Sequence, residues 1–143
     1  MIAIDTNVLV YAHRAGTPQH ERARAAIERA ATGAWGFAAA SIAEFYAVAT
    51  HPKCEGGPSS PDRAAAFVRA LIDAGAEVWV PGPGFADRLL QLAEDLEVSG
   101  VRIFDLQIGL TAFQAGATEL WTHDAHFVKV PGLRLIDPLG KRR

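Results

Sequence analysis

The sequence predicts an α/β fold in which a parallel sheet carries helices on both faces. Short apolar runs of strand type alternate along the chain with segments of helical periodicity, the signature of strand–helix–strand units. No internal repeat and no linker divides the 143 residues, a length that suits one domain with a substantial core. Half the residues are hydrophobic and 21% are charged, which is a globular composition rather than a disordered one.

Ile2-Ala3-Ile4 reads as a first strand that ends at Asp5, and Thr6-Asn7 offers cap chemistry for a short helix through Val8, Leu9, Tyr11 and Ala12. A clearer helix is predicted from Thr17-Pro18, with Ala23, Ala26, Ile27 and Ala30 at helical spacing and Gly33 as its stop. Trp35 to Ala39 is a second strand. Ser41-Ile42-Ala43-Glu44 opens the next helix, which runs to about His51-Pro52. The Gly-, Pro- and Ser-rich stretch from Lys53 to Pro61 is a loop. Ser60-Pro61-Asp62 starts a helix whose apolar face includes Phe67, Val68, Leu71 and Ile72 and which stops at Gly75. Glu77 to Val80 is a strand, and Phe85, Leu89, Leu92 and Leu96 mark an amphipathic helix. After Ser99-Gly100, Phe104-Asp105 leads a mostly apolar helix to Gly116. Glu119 to Thr122 and Leu133 to Ile136 are the remaining strands, and the tail from about residue 139 is expected to be loose.

A single cysteine, Cys54, rules out an intramolecular disulfide framework and suits a reducing cytosol. Met1 to Ile4 is too short an apolar run for a signal peptide, and no run approaches the roughly 18 residues of a membrane span. A cytoplasmic protein without a membrane partner is therefore expected. The formal charge of −2 argues at first against a nucleic-acid partner. Setting four acids aside as a site leaves twelve of the 16 acidic residues against 14 basic ones, a balance of +2. The negative excess then belongs to a site that cations would offset.

Those four acids are Asp5, Glu44, Asp105 and Asp124. Each has an ordinary structural reading. Asp5 can cap the helix that follows it. Ser41 and Glu44 match the capping-box pattern. Asp105 lies where a carboxylate favours a helix dipole, and Asp124 sits in a turn. Their conjunction says more, because all four fall where strand ends meet helix starts, on the rim where parallel sheets bind ligands. Carboxylates converging there repel one another and raise each other's pKa values. A hard cation relieves that repulsion, and magnesium, with manganese as its substitute, suits an all-oxygen site. Such ions activate water and stabilise a leaving oxygen, which points to phosphodiester cleavage without a side-chain nucleophile.

Asp5-Thr6-Asn7-Val8-Leu9-Val10-Tyr11 resembles the opening motif of PIN-domain proteins, especially the VapC-type toxins of bacterial toxin–antitoxin pairs. The resemblance continues at Ser41-Ile42-Ala43-Glu44-Phe45, Asp105-Leu106-Gln107-Ile108 and Thr122-His123-Asp124-Ala125-His126-Phe127, and spans nearly the whole chain. It implies a three-layer α/β/α sandwich with a central, mainly parallel sheet. It also implies a magnesium- or manganese-dependent endoribonuclease, a homodimer, and a small cognate antitoxin whose tail covers the site. By position, Asp5 and Asp105 would be direct metal ligands. Glu44 would bind metal or position the attacking water, and Asp124 would complete the site, often through water. Thr6, Asn7 and Thr122 would be supporting residues, with Thr6 bonding an acidic ligand. The Lys53–Ser60 loop is longer than the resemblance leads one to expect.

His13, Arg14, His123 and His126 lie near the same rim and are candidate RNA contacts; solvated turn histidines are the plainer reading of the last two. Lys141-Arg142-Arg143 can add weak phosphate attraction. Trp35, Trp79 and Trp121 fall in strands and are assigned to the core rather than to base stacking. Tyr11, Ile42, Phe45 and Val48 are core residues or dimer contacts. Three rival functions stand beside the toxin reading. A phosphatase with Asp5 as covalent nucleophile wants a second Asp where this chain has Asn7. A PIN-type nuclease of RNA maturation and a binding module without catalysis are the others.

Overall fold

The structure is a computed structural model that describes residues 1–140. Five parallel strands form one sheet in the order β3-β2-β1-β4-β5: β1 (Ile2–Ile4), β2 (Trp35–Ala38), β3 (Glu77–Trp79), β4 (Glu119–Trp121) and β5 (Arg134–Ile136). The helices are α1 (Thr6–His13), α2 (His20–Ala30), α3 (Ala39–Ala49), α4 (Pro61–Asp73), α5 (Phe85–Asp95) and α6 (Ile103–Gln114), with a single 3₁₀ turn at Gly100–Arg102.

Alternation along the strands divides the interior in two, because successive side chains point to opposite faces. Ile4, Phe37 and Trp121 face one core with Val8, Leu9, Ala26, Phe45, Val68 and Leu71, so α1 to α4 cover that side. Ala3, Leu120 and Trp79 face the other core with Leu92, Leu106, Leu110, Phe127 and Leu133 from α5, α6 and the chain around them. Three layers result, as the motifs imply. At Gly36 the sheet leaves no room for a side chain: a Cβ would stand 2.2 Å from the backbone oxygen of Glu77 on β3.

Several expected details are corrected. α2 begins at His20 rather than Thr17-Pro18. The Thr17 amide and hydroxyl both bond the Arg14 carbonyl, at 3.2 and 2.9 Å, so this stretch is spent in a turn. α3 begins at Ala39 because β2 runs into it without a loop, which leaves Ser41 in the first turn. Ser41 Oγ is buried and, among the described residues, has no partner, so the capping box with Glu44 does not form. Ile72 and Leu96, expected on apolar faces, are exposed. The three tryptophans are buried as expected. Leu139, expected to lie in the tail, is 3% exposed, and its carbonyl accepts from Arg22. Lys141 to Arg143 lie outside the described residues.

Candidate active site

The strand order reverses direction at β1, with β2 and β3 on one side and β4 and β5 on the other. A crevice opens at such a switch point, beyond the carboxyl ends of the strands. Asp5 follows β1 directly, and its amide donates to the Trp121 carbonyl of β4 at 3.0 Å. Asp5 is the N-cap of α1, with Oδ1 accepting from the Thr6 amide at 2.7 Å, so the capping reading and the site reading describe the same residue.

The second oxygen of Asp5 is held by the neighbouring strand. Thr122 Oγ1 donates to Asp5 Oδ2 at 2.8 Å. The same hydroxyl accepts from Asn7 Nδ2 at 3.3 Å and from the Asp124 amide at 3.1 Å. One donor and two acceptors exhaust its capacity. Asn7 Oδ1 in turn accepts from the His123 amide at 3.2 Å. The β4 turn is thereby fastened to the start of α1. Thr122 does what the sequence motifs assign to Thr6, whose buried hydroxyl has no partner among the described residues.

Asp5, Glu44, Asp105 and Asp124 line one pocket of about 270 Å³, with Thr6, Asn7 and Tyr11. Glu44 projects from the second turn of α3 and is exposed at the pocket's open side. Asp105 occupies the first turn of α6, where Arg102 approaches it at 3.6 Å and the Val128 amide donates at 3.4 Å. Asp124 follows β4 and accepts from the His126 amide at 2.8 Å.

Burial pushes the Asp5 pKa up to about 6, against the lowering pull of its Thr122 and Thr6 bonds, with Glu44 and Asp105 adding repulsion. Glu44 is raised by partial desolvation and then by Asp105; although exposed, it stands against the protein wall. Asp105 is raised by burial and, beyond its Val128 bond, by Asp124. The four carboxylates thus form a chain of mutual repulsion. Among the described residues no three such groups close into a ready-made metal cage. An all-oxygen set of spaced carboxylates matches magnesium, which keeps several waters and takes one or two protein ligands.

Three of the candidate RNA contacts, His13, Arg14 and His123, are engaged away from the pocket lining, and the fourth, His126, adjoins Asp124 through its backbone amide. His13 Nε2 bonds Ser59 Oγ at 2.8 Å, and its ring packs against Phe45 and Phe67. Arg14 bonds the carbonyls of Glu55 and Gly57, so it pins the 53–60 loop to the end of α1. The His123 ring lies 3.0 Å from Asp137 and edge-on to Tyr11.

A PIN domain model matches residues 2–133, which include all four carboxylates. This chain belongs to the PIN-domain family. Its PIN relatives include ribonuclease VapC43 of Mycobacterium tuberculosis, 34% identical across 97% of this chain and 96% of that one. Ribonuclease VapC48 of the same species is 26% identical over 95% and 96%. Among solved structures, the VapBC2 complex of Rickettsia felis bound to a promoter DNA fragment aligns with a TM-score of 0.70 at 20% identity, covering 95% of this chain and 98% of that one. VapC20 of M. tuberculosis, a toxin that cleaves the sarcin–ricin loop, aligns at 0.64 and 14% identity, covering 89% and 92%. The structure gives a partner to Thr122, which the sequence motifs marked only as a supporting residue: it is the joint between β1 and β4. Its signal was a Thr immediately after a strand and two residues before an acid.

Proposed function

We propose that this protein is a metal-dependent endoribonuclease, the toxin of a type II toxin–antitoxin pair, which cleaves RNA phosphodiesters with an activated water. The observation that carries the reading is the convergence of four carboxylates on one pocket at the sheet's switch point, three of them with raised proton affinity. Relatives that carry the name ribonuclease over nearly the whole chain support it.

Asp5 and Asp105 are assigned as the residues that hold magnesium or manganese, with Asp124 and Glu44 completing the set. An ion held there would supply Lewis-acid stabilisation of phosphate oxygens and would lower the pKa of water. Thr122 fixes the Asp5 rotamer through Oδ2, and the α1 amide at Thr6 fixes it through Oδ1. Oriented ligands of this kind lose little on binding. Glu44, exposed and with a raised pKa, positions the attacking water and accepts its proton at a carboxylate oxygen. Asn7 and Thr122 keep Asp124 at the pocket wall.

The assignment includes a cognate antitoxin, supported by a solved relative's being a VapBC complex, and a homodimer. None of the described helices is long and apolar enough to cross a bilayer. The test is cleavage of a structured RNA by purified protein with magnesium, with manganese and with chelator. Cleavage only with a divalent ion, abolished in Asp105→Asn, is expected. Equal cutting in chelator refutes the mechanism.

A further inference from the structure

A second concave cluster of charge lies at the far end of α1. Asp5 caps the helix at its start and Arg14 at its end, so the two stand about 13 Å apart along one axis at 1.5 Å per residue. Arg14, His13 and Arg63 wall a basin of about 280 Å³ whose other side is the Gly56–Ser59 loop. Bonds to the carbonyls of Glu55 and Gly57 hold the Arg14 guanidinium on the rim. Among the described residues neither Arg14 nor Arg63 has a carboxylate within ion-pair distance, although Glu55 also lines the basin. After burial, the fields of Arg14 and then Arg63 lower the His13 pKa, as expected of an electropositive hollow.

Basin and acidic pocket are joined. Between them runs a trough of about 460 Å³ with mainly apolar walls, which shares Val10, Tyr11 and Val48 with the carboxylate pocket and Arg14, Thr17 and Glu55 with the basin. Carboxylates, an apolar wall bearing an aromatic ring, and paired cations thus follow in sequence along one side of α1. This order suits a single nucleic-acid strand, whose phosphates seek guanidinium groups and whose bases seek apolar and aromatic surface. The carboxylate pocket repels an incoming polyanion and the net charge of −2 offers no long-range attraction, so a cationic anchor away from the carboxylates answers a physical need.

We propose that the Arg14–Arg63 basin is a phosphate subsite that grips the RNA strand at a second point, along α1 from the cleavage pocket. This rests on the ribonuclease reading for the identity of the strand, and its test does not depend on cutting. Binding of a labelled single-stranded RNA oligonucleotide, long enough to span pocket and basin, is measured in chelator across a salt series for the wild type, Arg63→Ala and Arg63→Lys. A dinucleotide provides the reference. Loss of one phosphate contact lowers the slope of log affinity against log salt by about 0.7, which weakens the oligonucleotide about fivefold at 0.1 M salt. Arg63→Ala is expected to show that loss, larger for the oligonucleotide than for the dinucleotide, with an unchanged melting temperature; Arg63→Lys restores most of it. An unchanged slope in Arg63→Ala overturns the proposal. So does an Asp/Glu-rich peptide whose binding depends on Arg63 while RNA binding does not. Protein that binds RNA with an Arg63-dependent slope yet cuts none with any divalent ion refutes the ribonuclease reading and leaves the subsite standing.

Discussion

Replacing Asp5 by Asn should make the metal-free protein more stable at neutral pH, and the size of the gain follows from its surroundings. Asp5 is only 6% exposed, and its pKa rises from 3.8 to about 6. That interval corresponds to about 3 kcal/mol by which the fold disfavours the ionised carboxylate. The folded protein holds this proton more tightly than the unfolded chain does. The destabilisation is therefore absent below about pH 4, grows through the interval, and is complete above about pH 6. An Asn side chain can still accept the Thr6 amide through its oxygen, but its NH₂ faces the Thr122 hydroxyl, which loses its acceptor. That costs roughly 1 kcal/mol. A net gain of roughly 1–2 kcal/mol remains at pH 7.5, or about 3–8 °C in Tm for a domain of this size. Thermal melts in chelator at pH 7.5 and pH 4.5 read both terms: Asp5→Asn should melt higher at the first pH and at or below wild type at the second. Magnesium should raise the wild-type Tm and leave the variant nearly unmoved, by mass action on the folded state. A variant that melts lower at pH 7.5 refutes the reasoning and makes Asp5 chiefly a helix cap.

Thr122→Val removes a hydroxyl that makes three bonds and leaves Asp5 Oδ2 short of a donor; a loss of about 1–3 kcal/mol in denaturant unfolding is expected, together with weaker RNA cutting, while Thr122→Ser retains both. Gly36→Ala forces a Cβ into the Glu77 carbonyl on β3, and a stability loss above about 3 kcal/mol or insoluble expression should follow. A variant of normal stability would show that the β2–β3 spacing is looser than described. His123→Ala should change cleavage less than threefold, because the ring is engaged by Asp137 rather than by the carboxylate pocket; a hundredfold loss would return His123 to the RNA-contacting set.

The alternation of strands and helices was legible because each short apolar run is bounded by Gly, Pro or an acid, and all five strands were anticipated within a residue or two. The carboxylates were legible as a group because Asp5, Asp105 and Asp124 stand at element boundaries and Glu44 lies in the second turn beyond one. What escaped is what depends on neighbours distant in sequence. Thr122 and Asp5 are 117 positions apart, and no local pattern says which threonine reaches the aspartate. Ser41 and Glu44 carry a capping-box pattern, yet the direct passage of β2 into α3 moves the helix start ahead of it. Ile72 and Leu96 have the right spacing for an apolar face but lie at helix ends, beyond the layer that the sheet covers. His13 and Arg14 look like cations of the carboxylate rim until the 53–60 loop is seen folded onto them, which places them in a separate basin.

The pairing of β1 with β4 joins Ile2 to Glu119, with three helical crossovers' worth of chain synthesised between them. During translation β1 emerges early and can pair with β2, but it lacks its second neighbour until β4 has cleared the ribosome. Thr122 and Asp124 arrive with that strand, so the pocket cannot exist on a shorter nascent chain. Pairings of such long sequence separation form late and slowly. A protein that destroys RNA would thereby be inert until its fourth strand has been made and paired, and the strand order itself would time the onset of its toxicity.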